Sequence, residues 1–187
     1  MAISLTKGGN VNLSKEAPNL TNMAVGLGWN PRATDGQAFD LDAVAFLVNE
    51  SGKVRADADF IFFNNLKSSD GSVEHTGDNR TGEGDGDDEV INVDLSRVPA
   101  HVQSLVFTVN SFTGQTFEKV AGAFCRIVNA GNNSEVARYN LSAQGSHTAL
   151  ILAKIYRHNG EWKMHAIGET ASGRTFHDLM PAILPHV

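Results

Sequence analysis

The sequence predicts an all-β fold, a two-layer antiparallel β-sandwich with a short C-terminal helix. Three observations predict it. Roughly ten short apolar segments follow one another along the 187 residues. Gly, Asn and Asp separate most of them, and no long helical pattern stands between them as a parallel α/β sheet would require.

Taken in order, strands are expected over residues 11–13, 23–29, 41–48, 60–63, 72–75, 89–94, 104–110, 123–129, 136–141, 149–158 and 161–168. Turn chemistry sets the breaks. Glu50-Ser51-Gly52-Lys53 ends the third, Ser69-Asp70-Gly71-Ser72 precedes the fifth, and the Gly/Asn-rich run 129–134 divides the eighth from the ninth. Asn159-Gly160 is the clearest of these signals, because that dipeptide suits the two-residue turn of a β-hairpin. Helix is sparse. A short turn is expected within 112–121, and over 175–184 Phe176, Leu179, Met180 and Ile183 fall on one face at helical spacing. Thr175 is placed to cap that helix and Pro181 to limit it, since proline beyond the first turn removes a hydrogen bond.

Residues 1–187 are read as one domain, long enough to bury a sizeable core. Hydrophobic content of 41% and charged content of 19% are those of an ordinary soluble globular protein. No stretch reaches the length of a membrane span, and Met1-Ala2-Ile3-Ser4-Leu5-Thr6-Lys7 lacks the apolar core of a signal peptide. A cytoplasmic location is therefore expected. The net charge of −6 argues against a nucleic-acid partner, which calls for a basic stripe. Cys125 is the only cysteine, so an internal disulfide and a paired-thiol redox centre are excluded.

The charge is concentrated. Between Asp78 and Glu89 six carboxylates face one arginine, Arg80, and account for most of the chain's excess. Acidic, glycine-rich runs are ordinarily solvated loops. Here, however, Asp59-Phe60-Ile61-Phe62-Phe63 stands before the run and Val90-Ile91-Asn92-Val93 directly after it, so strand-like segments pin both ends. A second acidic cluster lies upstream at Asp35, Asp40 and Asp42. Crowded carboxylates repel and raise one another's pKa values unless positive charge intervenes. A hard, oxygen-seeking cation meets that need, and Ca²⁺ takes six to eight oxygen ligands.

Asp40 and Asp42 are two apart at the head of a strand, so their side chains share a face, about 7 Å apart along it. If the loop carrying residues 83–89 folds over the same end of the sandwich, the two clusters meet. Asn64 and Asn65 close a strand that heads for that rim and add neutral oxygens. The spacing is not that of an EF-hand, and the seven histidines show no paired-ligand helical spacing for zinc. Trp29, Trp162, Tyr156, Phe60, Phe62 and Phe63 are read as packing groups, and His158 and His165 as strand residues beside the Asn159-Gly160 turn.

Lys7-Gly8-Gly9-Asn10-Val11, Val25-Gly26-Leu27-Gly28-Trp29, Phe39-Asp40-Leu41-Asp42-Ala43, Asp59-Phe60-Ile61-Phe62-Phe63-Asn64-Asn65, Gly77-Asp78-Asn79-Arg80-Thr81-Gly82-Glu83-Gly84-Asp85-Gly86-Asp87-Asp88-Glu89 and Tyr156-Arg157-His158-Asn159-Gly160-Glu161-Trp162-Lys163 together resemble the TerD family of bacterial tellurium-resistance and stress proteins. The resemblance runs in order to about Gly168. It implies a β-sandwich binding Ca²⁺ at two neighbouring sites, in a protein linked to resistance to tellurite, phage and colicins. Carried over by position, the implied ligands are Asp40, Asp42, Asn64, Asn65, Asp78, Asn79, Thr81, Glu83, Asp85, Asp87, Asp88 and Glu89. Three departures stand out. Asn30 replaces a frequent Asp, the stretch Asn110-Ser111-Phe112-Thr113-Gly114 lacks an acid that many relatives carry, and the segment from Gly168 onward differs from the usual ending.

The functional expectation is a calcium-binding stress-response module rather than an enzyme. Its partners would be calcium ions together with related family proteins or the anionic inner face of the membrane. One alternative is a metal-dependent phosphoester hydrolase with paired ions clamping the substrate and Arg80 stabilising charge. Another is direct reduction of tellurium oxyanions, which a single thiol at Cys125 serves poorly.

Overall fold

The computed structural model describes residues 1–31, 41–77, 86–111, 114–142, 145–173 and 175–187. Twelve strands form two six-stranded sheets. The first sheet runs β1 (Ile3–Leu5), β10 (Ser134–Ser142), β9 (Val120–Asn129), β3 (Asn22–Pro31), β7 (Glu89–Asp94), β6 (Val73–His75). The second runs β2 (Asn10–Asn12), β12 (Glu161–Ala171), β11 (Ala149–His158), β8 (Val102–Ser111), β4 (Leu41–Asn49), β5 (Phe60–Ile61). Neighbours are antiparallel except β1, which lies parallel to β10. The expected sandwich is observed, with that one parallel edge added.

Alternation builds the core. Val25, Leu27 and Trp29 of β3, Ile91 and Val93 of β7, Ala43, Ala45 and Leu47 of β4 and Leu105, Phe107 and Val109 of β8 point between the sheets and are buried together. The other face of the second sheet carries Val44, Phe46, Val106, Ile151 and Ile167, a second apolar cluster that Leu179 and Ile183 of α2 (Phe176–Ile183) help to cover. In α2 the Thr175 hydroxyl accepts from the Asp178 N–H while the Asp178 carboxylate accepts from the Thr175 N–H, a reciprocal cap. Pro181 sits inside the helix, which ends two residues later at Ile183. The carbonyl it leaves without a helical donor belongs to exposed His177.

Other differences are local. The expected strand 60–63 keeps only Phe60–Ile61 in the ladder, because Phe62 and Asn65 exchange two backbone hydrogen bonds of 3.1 and 2.9 Å and fold the chain back. Within 112–121 the structure has a single 3₁₀ turn at Phe117–Lys119, and β9 begins at Val120; residues 112–113 lie outside the described segments. A one-turn helix, α1 (Leu13–Glu16), follows β2 and is capped by Asn12, whose side chain accepts from the Lys15 N–H at 3.1 Å. Asn159 and Gly160 have φ of 53° and 75°, as a two-residue hairpin turn requires. Among the described residues no helix is long and apolar enough to cross a membrane.

Gly26 and Gly28 of β3 face away from the core, and each lies beneath a neighbouring side chain. A Cβ on Gly28 would stand 2.2 Å from the Phe124 ring, which the Arg138 guanidinium covers at 4.2 Å. Gly28→Ala therefore displaces a stacked pair and is expected to lower unfolding free energy by about 1–3 kcal/mol in chemical denaturation. An unchanged denaturation midpoint would show that Phe124 swings aside freely.

A candidate metal-binding rim

One end of the sandwich gathers the functional candidates. Strand registers bring the start of β4 beside the end of β8, the start of β11 beside both the end of β8 and the end of β12, and the start of β7 against β3. Asp42 and the 87–89 triplet thus share this rim, and the Phe62–Asn65 turn leaves β5 in the same direction. Asp40, Asp78, Asn79, Thr81, Glu83 and Asp85, with Arg80, lie outside the described residues.

The three consecutive acids point different ways, because the regular strand begins only at Glu89 and Asp87 and Asp88 precede its alternation. Glu89 points inward and is 2% exposed. Its Oε2 accepts from the Ala43 N–H of the opposite sheet at 2.7 Å and lies 2.9 Å from His75 Nε2. The Gly77 N–H donates to His75 Nδ1 at 3.0 Å, so the imidazole proton sits on Nε2 and is given to Glu89. Asp88 stays at the end of the first sheet, where its backbone N–H bonds the Leu27 carbonyl and its Oδ2 accepts from the Trp29 N–H at 2.7 Å. Burial pushes the Asp88 carboxyl up to about 6; the Trp29 N–H opposes that rise, while the charges of Glu89 and Asp87 add to it.

Asp87 turns to the outer face of the first sheet. Arg126 of β9 grips it with Nε at 2.7 Å and Nη2 at 2.8 Å, and extends Nη1 to Glu135 at 3.1 Å. The Asp87 hydrogen bond is the main reason the Arg126 guanidinium is held further protonated than usual. Gly26 makes the approach possible: a Cβ there would overlap the Asp87 carboxylate at 2.3 Å.

Asp42 is directed to the outer face of the second sheet, opposite Asn110 in register and 3% exposed. Asn110 is wholly buried, and neither its amide nitrogen nor its oxygen has a hydrogen-bond partner. Thr108, two residues earlier on the same face, is likewise buried with an unbonded hydroxyl. Asn64 is exposed, and Asn65 spends its amide hydrogens on the Phe60 and Ala58 carbonyls at 2.7 and 3.3 Å. Among the described residues no three His, Cys, Asp or Glu side chains converge on one point. The donors that do gather are carboxylate and amide oxygens, together with an orphaned buried amide, a set that fits a hard cation and does not fit zinc or copper.

Sequence reasoning missed Arg126, His75 and Asn110. Parity held a signal for the last two: His75 alternates with buried Val73, and Thr108 and Asn110 follow the apolar run 105–107 on the parity of Val106.

The model of the TerD domain matches residues 1–181. The chain belongs to the TerD family. The tellurium resistance protein TerD of Serratia marcescens is 57% identical over 178 residues, covering 92% of this chain and 93% of the relative. General stress protein 16U of Bacillus subtilis (strain 168) is 46% identical over 179 residues, with 92% and 93% covered. The crystal structure of a homologue of telluride resistance protein (TerD) from Streptomyces coelicolor A3(2) shares the fold, with a TM-score of 0.66 at 20% identity over 83% of this chain and 92% of that one. This TerD-family chain thus shares a family with proteins named for tellurium resistance and for stress.

Because Asp88 is raised from 3.8 to about 6, the folded protein retains a proton there that the unfolded chain releases. Its ionisation opposes folding, so the stability associated with the protonated carboxyl is present below about pH 4 and lost by about pH 6. In chelator, the melting temperature of Asp88→Asn should rise relative to the parent protein as pH goes from about 4 to about 6.5. A flat difference across that interval would contradict the assigned shift.

Proposed function

We propose that this chain is a calcium-binding protein of stress and tellurium resistance, acting as a metal-dependent binding module and not as an enzyme. The observation that carries the reading is the gathering of oxygen donors at one rim, where Asp42 and Glu89 are buried and Asp88 stands half-buried, its carboxyl pushed up by that burial. Such a rim is electrostatically costly without added positive charge. A bound Ca²⁺ supplies that charge and six to eight positions for oxygen.

The protein's own groups set the stage. Ala43 and His75 fix Glu89, Trp29 fixes one oxygen of Asp88, and the Asp42 strand is anchored by its pairing with β8. Among the proposed ligands, Asp42, Asp88 and Glu89 stand on this rigid frame, with Asp40, Asp78, Asn79, Thr81, Glu83 and Asp85 on the two segments attached to it. Asp87 contributes by holding the end of the acidic run to β9 through Arg126. Neutralising the rim lets surfaces repelled by the metal-free protein dock, either related family members or an anionic membrane face. The names of the Serratia and Bacillus relatives support the resistance and stress part of the reading. Thiol reduction of oxyanions is disfavoured, because Cys125 is fully buried and its thiol is pushed up to about 12 by that burial.

Calcium titration of chelator-treated protein, followed by calorimetry and tryptophan fluorescence, should show saturable uptake below millimolar Ca²⁺. Asp42→Asn should weaken uptake by about tenfold while leaving the far-ultraviolet circular dichroism unchanged. Absence of saturable uptake by the parent protein removes the reading.

A further inference from the structure

We propose that Asn110 is a ligand of the cation bound beside Asp42, through its side-chain oxygen. The inference rests on the calcium reading above and adds a residue that the acidic motifs do not contain. Asn110 lies at the rim end of β8, and its Cα partner across the ladder is Asp42. Side chains of directly opposed residues start about 5 Å apart and share a face, so both oxygens reach one cation at about 2.4 Å.

The surroundings of Asn110 call for such an occupant. The amide is 0% exposed, yet its nitrogen and oxygen are both without a partner, and buried amides are nearly always satisfied. Its row across the sheet is completed by Ala149 and Ala171, side chains too small to fill the space and devoid of polar atoms. Further along the same face Thr108 adds a second buried hydroxyl without a partner, and apolar Val106 and Phe46 follow. A cation beside Asp42 takes the amide oxygen directly, and water in its remaining coordination positions accepts from the amide hydrogens. A neutral oxygen also suits this position electrostatically, because it adds a ligand beside Asp42 without adding repulsion.

Substitution at position 110 separates this role from packing. In the full chain, Asn110→Ala should lose Ca²⁺ affinity at one site by about tenfold or more in calorimetric titration with CaCl₂. Its melting temperature in chelator should equal or exceed the parent's, since an orphaned amide has been removed. Asn110→Asp, of nearly the same size, should bind Ca²⁺ more tightly and melt lower in chelator, because a second carboxylate then faces Asp42. Parent-like Ca²⁺ affinity in Asn110→Ala with a lowered melting temperature in chelator would mean that a water molecule alone occupies the place, and would overturn the assignment. Affinity of Asn110→Asp at or below the parent's would overturn it too. Failure of the parent protein to bind Ca²⁺ would instead sink the calcium reading, and this inference with it.

Discussion

The carboxylate of Glu89 ties the two sheets together at the end where the candidate ligands collect. β5 pairs only with Ala45 and Phe46, so the Ala43 N–H must find its acceptor elsewhere. Glu89, carried by β7 of the facing sheet, reaches across the interior and provides it. His75 holds the same oxygen from the edge strand β6 and is itself oriented by the Gly77 N–H. A buried carboxylate bonded in this way costs far less than a bare one and fixes the relative height of β4, β6 and β7. The segments that precede Leu41 and follow Gly77 leave the described frame close to this contact, so their anchor points are set by it.

Much of the fold was readable in advance, because strand alternation and turn chemistry are local. Residues 89–94 and 149–158 are strands to the residue, the Asn159-Gly160 turn has the expected backbone, and Thr175 caps the C-terminal helix. β1 escaped notice because three residues are too short to show a period, and its parallel pairing depends on β10, far away in sequence. The intrinsic cost of Pro181 in the helix is outweighed by the burial of Leu179 and Ile183 against the second sheet.

The site was less legible, for a geometric reason. A run of acids reads in sequence as one cluster, whereas here Asp87 and Asp88 precede the regular strand that begins at Glu89, and the irregular approach distributes the three side chains among layers. Asp87 goes outward to Arg126, Glu89 goes inward to His75, and Asp42 belongs to the far face of the other sheet. Arg126 is 39 residues from Asp87, and only the β3–β9 and β3–β7 registers bring them together across Gly26. Part of the positive charge that the acidic run requires is thus supplied by the protein itself, at Asp87. On the proposed calcium reading, that leaves Asp42, Asp88 and Glu89 as the described acids for an added cation.

The same distribution decides what kind of chemistry this end of the molecule can offer. Both nitrogens of His75 are engaged, one by Glu89 and one by Gly77, so the imidazole serves as a strut and not as a metal ligand or proton shuttle. Cys125 lies between the sheets with its thiol pushed to about 12, which keeps the nucleophilic thiolate out of reach. On the proposed calcium reading, the donors are the oxygens of Asp42, Asp88, Glu89 and the Asn110 amide. Oxygen ligation of that kind changes a surface's charge without transferring electrons. On the proposed reading, a resistance role built on this rim acts through what the protein binds.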